Sequence, residues 1–324
     1  MKPFISIIIV TKNEETYINN CLISIFNLNY PLDKFEVIVI DGNSSDRTID
    51  IVKKFPVNIF TDSKGLGHSR NLGIKESAGD YLASTDADCV VDKNWLDILV
   101  NEMENAPESV IAVGGPNLVF ENDPWFSRVI GYLQETFFSS AGAPQSFKIS
   151  QKKFVFGIPN CNVMYKKKIL IQEGCFDNEI NIGEDAELNS RLTTRGYKYL
   201  YIPKAFVWHH RPATLKEFIK KMYTYGNGMG HLIRHKKVLR WYPFLPSLGI
   251  CVLLLAYPLS IFFPGIISIY FLGILFYLLC LAMTAAVVYK KFPSTKSLVV
   301  LILLPTQHLT YGIGFLRGYL GGIN

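Results

Sequence analysis

The sequence is short of cysteine, and none of what it has is paired. Its six cysteines (Cys21, Cys89, Cys161, Cys175, Cys251 and Cys280) show no repeated spacing, and two of them fall in an apolar tail. This argues against a disulfide framework or a structural zinc site and fits a reducing, cytosolic face. Charge is missing from two long stretches: no charged residue lies between Arg240 and Lys290, and none from Ser297 to Leu316. A membrane-spanning helix needs about 20 apolar residues. The first stretch is long enough for two passes, over 245–263 and 266–289 with a turn at Phe263-Pro264-Gly265, and the second for one, over 297–316. No secretory leader is expected, because the apolar run Phe4–Val10 is short and passes straight into Thr11-Lys12-Asn13-Glu14. Basic runs interleaved with base-stacking aromatics are missing before the tail, so no nucleic-acid partner is expected. Internal repeats and low-complexity segments are also absent.

The formal net charge of +6 is modest, and much of it flanks the tail: Arg234-His235-Lys236-Lys237 and Arg240 before it, Lys290-Lys291 and Lys296 between its apolar runs. By the positive-inside rule both clusters face the cytoplasm, which places the soluble part there too and makes the chain an integral membrane protein.

Ahead of the tail, apolar runs alternate with helical patterns. Ile5–Val10 and Phe35–Ile40 read as buried strands, the second ending at Asp41. Ile18, Cys21, Leu22, Ile25 and Phe26 follow helical spacing. Thr48–Phe55 reads as a short helix, Val57–Phe60 as a strand, Leu66–Ser77 as a helix and Tyr81–Thr85 as another strand. Such alternation predicts an α/β chain with a doubly wound, mostly parallel sheet, binding ligands at the carboxyl ends of its strands.

Asp86-Ala87-Asp88 stands where the Tyr81 strand gives way to a loop. In extended chain two carboxylates at i and i+2 project to one side. They can share one hard cation, Mg²⁺ or Mn²⁺, which binds oxygen and leaves room for substrate phosphates. The alternative is that Asp88 or Asp92 caps the helix expected from about Asn94. Asp41 can meet a base or ribose, or simply start the Gly42–Asp46 turn. Arg70, in the first turns of a helix, suits phosphate or ribose, or else lies on a solvated face. Asn160 and Asn162 belong to a polar turn that either lines an acceptor pocket or satisfies its own backbone. Glu184 and Asp185 open a helix, where acidic residues ordinarily serve the dipole while one can face a cleft. His209-His210-Arg211, after the strand Ala205–Trp208, offers a metal ligand and a phosphate contact.

In this order the pieces resemble the family 2 glycosyltransferases of the GT-A fold. The resemblance runs from about Ile5 to Arg211. It is carried by Ile7–Glu14, Val39–Asp46, Arg70-Asn71, Asp86-Ala87-Asp88, Gly174–Asp177, Glu184–Leu188 and Val207–His209. It implies a Rossmann-like nucleotide-binding core and metal-dependent transfer of a sugar from a UDP- or GDP-linked donor, with inversion at the anomeric carbon. On this basis Thr11, Asn13, Glu14, Asp41 and Arg70 serve the donor, and Asp86 and Asp88 the metal–diphosphate. Asp185 is the general base with Glu184 beside it, and His209, or else His210, is a further metal ligand. The resemblance also implies a catalytic domain over 1–211, an amphipathic, interfacial connector over 212–244 and a helical transmembrane region over 245–320. The acceptor is then a lipid-linked glycan or polyisoprenyl phosphate in the same membrane.

Two features depart from the family pattern. The second strand ends in one Asp where many members carry two. The Gln- and Trp-containing signature of processive synthases is missing after the His pair, where Tyr223, Tyr225, Gly226-Asn227-Gly228 and Gly230 stand instead, so one sugar per encounter is expected. A nucleotidyltransferase would want a Gly-rich basic loop for a triphosphate, which Thr11-Lys12-Asn13-Glu14-Glu15 is not. A catalytically silent nucleotide-sugar-binding protein is the remaining alternative.

Overall fold

The structure, a computed structural model, describes residues 2–143, 146, 149–238 and 242–321. It divides into two compact units, Met1–Phe120 with Pro144–His210, and Glu121–Ala143 with Arg211–Asn324. The segment Glu121–Ala143 thus packs with the C-terminal helices, although in sequence it lies inside the first domain.

In the first unit the strands are β1 (Ile5–Thr11), β2 (Phe35–Asp41), β3 (Asn58–Thr61), β4 (Tyr81–Asp86), β5 (Cys89–Val91), β6 (Val110–Gly114), β7 (Asn117–Val119), β8 (Lys153–Val155), β9 (Asn162–Lys166), β10 (Lys198–Tyr201) and β11 (Val207–His209). Among the described residues they form an eight-stranded sheet, β3-β2-β1-β4-β9-β6-β10-β8, and a three-stranded one, β5-β11-β7. β1 to β4 are mutually parallel, and the near-continuous apolar runs of β1 and β2 suit strands covered on both faces. β9 runs antiparallel to both β4 and β6. The helix Ile18–Phe26 buries Ile18, Cys21, Leu22 and Ile25, the stripe expected from its spacing.

Two local differences from the sequence reading matter for the site. Asn162 is not in a turn: it begins β9, whose five residues are hidden in sequence by the lysines that follow. His209 lies within β11, opposite Cys89 of β5.

The second unit is helical, with Trp125–Gln134, Phe137–Ser140, Leu215–His235, Phe244–Ser260, Gly265–Lys291 and Val300–Leu320. Among the described residues, two stretches, Gly265–Lys291 and Thr295–Leu320, are long and apolar enough to cross a membrane. The first of the three expected spans, 245–263, forms a 17-residue helix, Phe244–Ser260, with Pro258 inside it. That length lies at the lower end of the spanning range of about 17–25 residues. Polar residues in the last helix have partners: Gln307 Nε2 donates to the Ser139 carbonyl at 2.8 Å, and Tyr277 and the Phe138 carbonyl flank the His308 ring.

Candidate functional site

The carboxyl ends of β1 to β4 share one edge, and the loops that leave them lock together. The Asn13 N–H donates to Ser44 Oγ at 2.9 Å, and its side-chain oxygen accepts from the Ser45 N–H at 2.8 Å. The Glu14 N–H donates to Thr48 Oγ1 at 2.8 Å. Thr11 is buried at the end of β1, where its carbonyl accepts from the Gly42 N–H. Asn13 and Asn43 take the left-handed backbone that Asn tolerates better than most residues, with φ of 56° and 64°. Asp41 accepts from both the hydroxyl (2.6 Å) and the N–H (3.1 Å) of Ser44, so it builds the turn allowed for in the sequence reading.

Arg70 is buried in a protein network instead of facing outward from its helix. Its Nε donates to Glu184 Oε1 at 2.9 Å, Nη1 to Ser84 Oγ at 3.2 Å, and Nη2 lies 3.5 Å from Asp86 Oδ1. Burial alone would favour its neutral form, but Glu184 and Asp86 more than offset this and hold it charged. Asn160 joins the network, donating to Glu184 Oε1 at 3.2 Å and accepting from the Tyr165 hydroxyl. Next along the helix, Asn71 clamps the loop before Glu184 through the carbonyl and N–H of Phe176. Arg70-Asn71 and Gly174–Asp177, two separate motifs in sequence, are therefore partners in space. Glu184 is 4% exposed and engaged in the ion pair, whereas Asp185 beside it is only partly buried.

The two carboxylates of Asp86-Ala87-Asp88 face different partners. Burial, with Cys161 and Asp88 adding to it, pushes the Asp86 carboxyl up to about 7, against the pull of Arg70 and His209. Asp88 Oδ2 lies 3.1 Å from His209 Nε2, and the Cys89 thiol completes a group whose ligand atoms lie within 4.8 Å of one another. A carboxylate and an imidazole at this separation fit a divalent cation. The β5–β11 pairing creates the site by joining residues 121 positions apart.

The side chains of two expected site residues make other contacts. The His210 ring stacks on Tyr17, with centroids 4.4 Å apart, and packs on Phe120, so His209 is the histidine that meets Asp88. Asn162 is fully buried, accepting from Trp95 Nε1 and donating to the carbonyls of Pro116 and Ala205. Its side chain thus ties the start of β9 to Trp95 and to the carbonyls of Pro116 and Ala205.

The sequence reading missed Cys89, Ser84 and Asp62. Cys89 directly follows the Asp-x-Asp, a signal open to inspection. Asp62, after β3, accepts from Ser69 Oγ at 2.7 Å and from the Lys64 N–H, which holds the loop ahead of Arg70.

A family model described as glycosyl transferase family 2 matches residues 6–173. A curated relative from Methanococcus voltae is 28% identical over 98% of both chains; it is a dolichyl N-acetyl-alpha-D-glucosaminyl phosphate 3-beta-D-2,3-diacetamido-2,3-dideoxy-beta-D-glucuronosyltransferase. Two solved structures, each 18% identical, share the fold. The mannosyltransferase PcManGT from Pyrobaculum calidifontis, in complex with GDP-Man and Mn²⁺, has a TM-score of 0.60 over 98% of this chain and 88% of that one. S. aureus TarS in complex with UDP-GlcNAc has a TM-score of 0.51, covering 70% of this chain and 66% of that one. The mostly parallel sheet and these neighbours agree with the expected GT-A fold class.

Proposed function

The chain belongs to glycosyl transferase family 2 and is a glycosyltransferase, and from that premise we propose that it transfers one sugar from a nucleotide-sugar donor to a lipid-linked acceptor, with inversion and with a divalent cation. The observation that carries this reading is the Asp88–His209 pair, in which Asp88 lies just past the end of β4, the same carboxyl end from which the donor-side loops leave the parallel strands β1 and β2. A bound cation there would neutralise the charge developing on a diphosphate leaving group. An imidazole ligand suits Mn²⁺ better than Mg²⁺, which prefers oxygen alone.

The protein's own groups supply the rest. Asp185 takes the proton from the acceptor hydroxyl as it attacks the anomeric carbon, and inversion in one displacement needs a single such base. Glu184, neutralised by Arg70, sets the helix start from which Asp185 projects. Thr11, Asn13, Glu14 and Asp41 shape the donor-side loops. The Methanococcus voltae relative, whose name specifies a dolichyl phosphate-linked sugar as its substrate, supports a polyisoprenyl phosphate-linked acceptor. Gly265–Lys291 and Thr295–Leu320 would hold the enzyme in the membrane where such an acceptor diffuses.

The test is donor turnover by purified, detergent-solubilised protein with Mn²⁺ and a panel of UDP- and GDP-sugars. Acceptor-dependent release of nucleoside diphosphate, with a product of inverted anomeric configuration by NMR, is expected. Exchange of pyrophosphate would point to a nucleotidyltransferase instead, and retained configuration would overturn the single-displacement mechanism.

A further inference from the structure

Cys89 is 1% exposed and has no part in the chemistry above. It stands directly opposite His209 in the antiparallel β5–β11 pair, and residues so opposed carry their side chains on the same face. Its Sγ lies 3.8 Å from Asp88 Oδ1, while Asp88 Oδ2 lies 3.1 Å from His209 Nε2. A tetrahedral ion with metal–sulfur bonds of about 2.3 Å and metal–oxygen or metal–nitrogen bonds of about 2.1 Å has edges of roughly 3.6 and 3.4 Å between such ligands. The two separations lie close to these edges, with one Asp88 oxygen toward each partner, and one ligand atom from each of the three residues falls within 4.8 Å of the others. Cys161, the other thiol nearby, meets Cys89 and accepts from Asn117 Nδ2 at 2.8 Å, and it falls outside this group of mutually close ligand atoms.

We propose that Cys89 is a third ligand of the cation held by Asp88 and His209, making a carboxylate–thiolate–imidazole site that selects a transition-metal ion over Mg²⁺. The inference rests on the metal reading of the preceding subsection and deepens it. Binding forms a metal–sulfur bond and breaks the S–H bond, releasing the proton to buffer. Soft thiolate ligands disfavour Mg²⁺, while the shared hard carboxylate still admits a diphosphate oxygen at an open position.

The test uses reduced, chelator-stripped full-length protein titrated with Co²⁺, first alone and then with UDP. Wild type should show both visible d–d bands and a near-ultraviolet thiolate-to-cobalt charge-transfer band. Cys89→Ser should lose the charge-transfer band and bind Co²⁺ at least roughly tenfold more weakly. Cys161→Ser should keep the band, and this comparison with wild type carries the test even if Cys89→Ser folds poorly. Binding of Co²⁺ by wild type without a charge-transfer band would overturn the role of Cys89 and leave the Asp88–His209 site standing. So would a band that survives in Cys89→Ser and disappears in Cys161→Ser. Failure to bind Co²⁺ at all, with or without UDP, would remove the metal reading itself and this proposal with it.

Discussion

Glu184 and Asp185 are neighbours at a helix start, where successive side chains diverge by about 100°. Their environments separate their parts. Glu184 is engaged by Arg70 and Asn160, and the proposed base is its partly buried neighbour Asp185. Asp185→Asn should lower kcat by about 10²–10⁴ with donor affinity nearly unchanged, as steady-state kinetics and a donor titration can show. Glu184→Gln should instead lower stability, because it leaves the Arg70 charge buried with a weakened partner. Losing one side of a buried ion pair costs about 3–5 kcal/mol, and denaturant unfolding of Glu184→Ala would read it directly. A wild-type rate for Asp185→Asn would move the base elsewhere. Asp62 supplies a pH test. Burial alone would raise its carboxyl, but hydrogen bonds from Ser69, His68 and the Lys64 N–H hold it below its ordinary value. A depressed carboxylate stabilises the fold above its unfolded pKa and loses that contribution as pH falls through the folded one. The melting-temperature deficit of Asp62→Asn should therefore be largest near neutrality and shrink below about pH 4.

Between elements, several contacts are set by the absence of a side chain. A Cβ on Gly67 would lie 2.1 Å from the Asp177 carbonyl oxygen, so the Leu66–Glu76 helix sits against the loop that leads to Glu184 only because Gly67 has none. Gly67→Ala must part the two. A loss of about 1–3 kcal/mol, as for other overpacked contacts, is expected in denaturant unfolding. Activity should fall with it, because the Arg70–Glu184 link spans the same gap. In the helical unit, Cβ atoms on Gly226 and Gly230 would meet carbonyls of Val300–Leu320, and those on Gly314 and Gly318 would meet carbonyls of Leu215–His235. Small residues let helix backbones approach this closely in lipid as in water. Leu215–His235, which the sequence reading placed at the interface, is thus packed along the last helix. Gly318→Val should lower the melting temperature in detergent, and an unchanged melt would mean that the two helices do not rely on this notch.

At the scale of the whole molecule the question is which side of a membrane each end meets. The basic Lys290, Lys291 and Lys296 lie between the two long apolar helices, and the Pro264-Gly265 turn lies at the far end of the first. Lys291 is also tied to Glu135 at 2.5 Å, which anchors that end of the helix to the Trp125–Ser140 segment. The positive-inside rule then predicts a cytoplasmic loop at Lys290–Lys296 and the turn opposite. A cysteine probe at Gly265 should react with an impermeant reagent from outside and one at Thr295 should not; the reverse pattern would overturn this orientation.

Patterns of local origin were legible in the sequence alone. The apolar runs of β1 and β2, the helical stripe of Ile18–Ile25 and the Asp-x-Asp at a strand's end depend on neighbours within a few residues, and hydrophobic burial reads them the same way in any context. The long uncharged helices were legible for the same reason, although Pro258 and a 17-residue length set Phe244–Ser260 apart from the other two. What the sequence could not decide was which polar side chains meet. Arg70 could face a phosphate or stand on a solvated face, and only the fold, bringing Glu184 from 114 residues away, made it an internal ion pair. His209 was preferred over His210 only on the family pattern; the β5–β11 register turned its ring toward Asp88 and left the His210 ring against Tyr17 and Phe120. Asn162 seemed available for a ligand until β9 took its place between β4 and β6. A buried polar group must find partners wherever the chain brings them, and those partners lie far off in sequence, so their identity belongs to the tertiary structure.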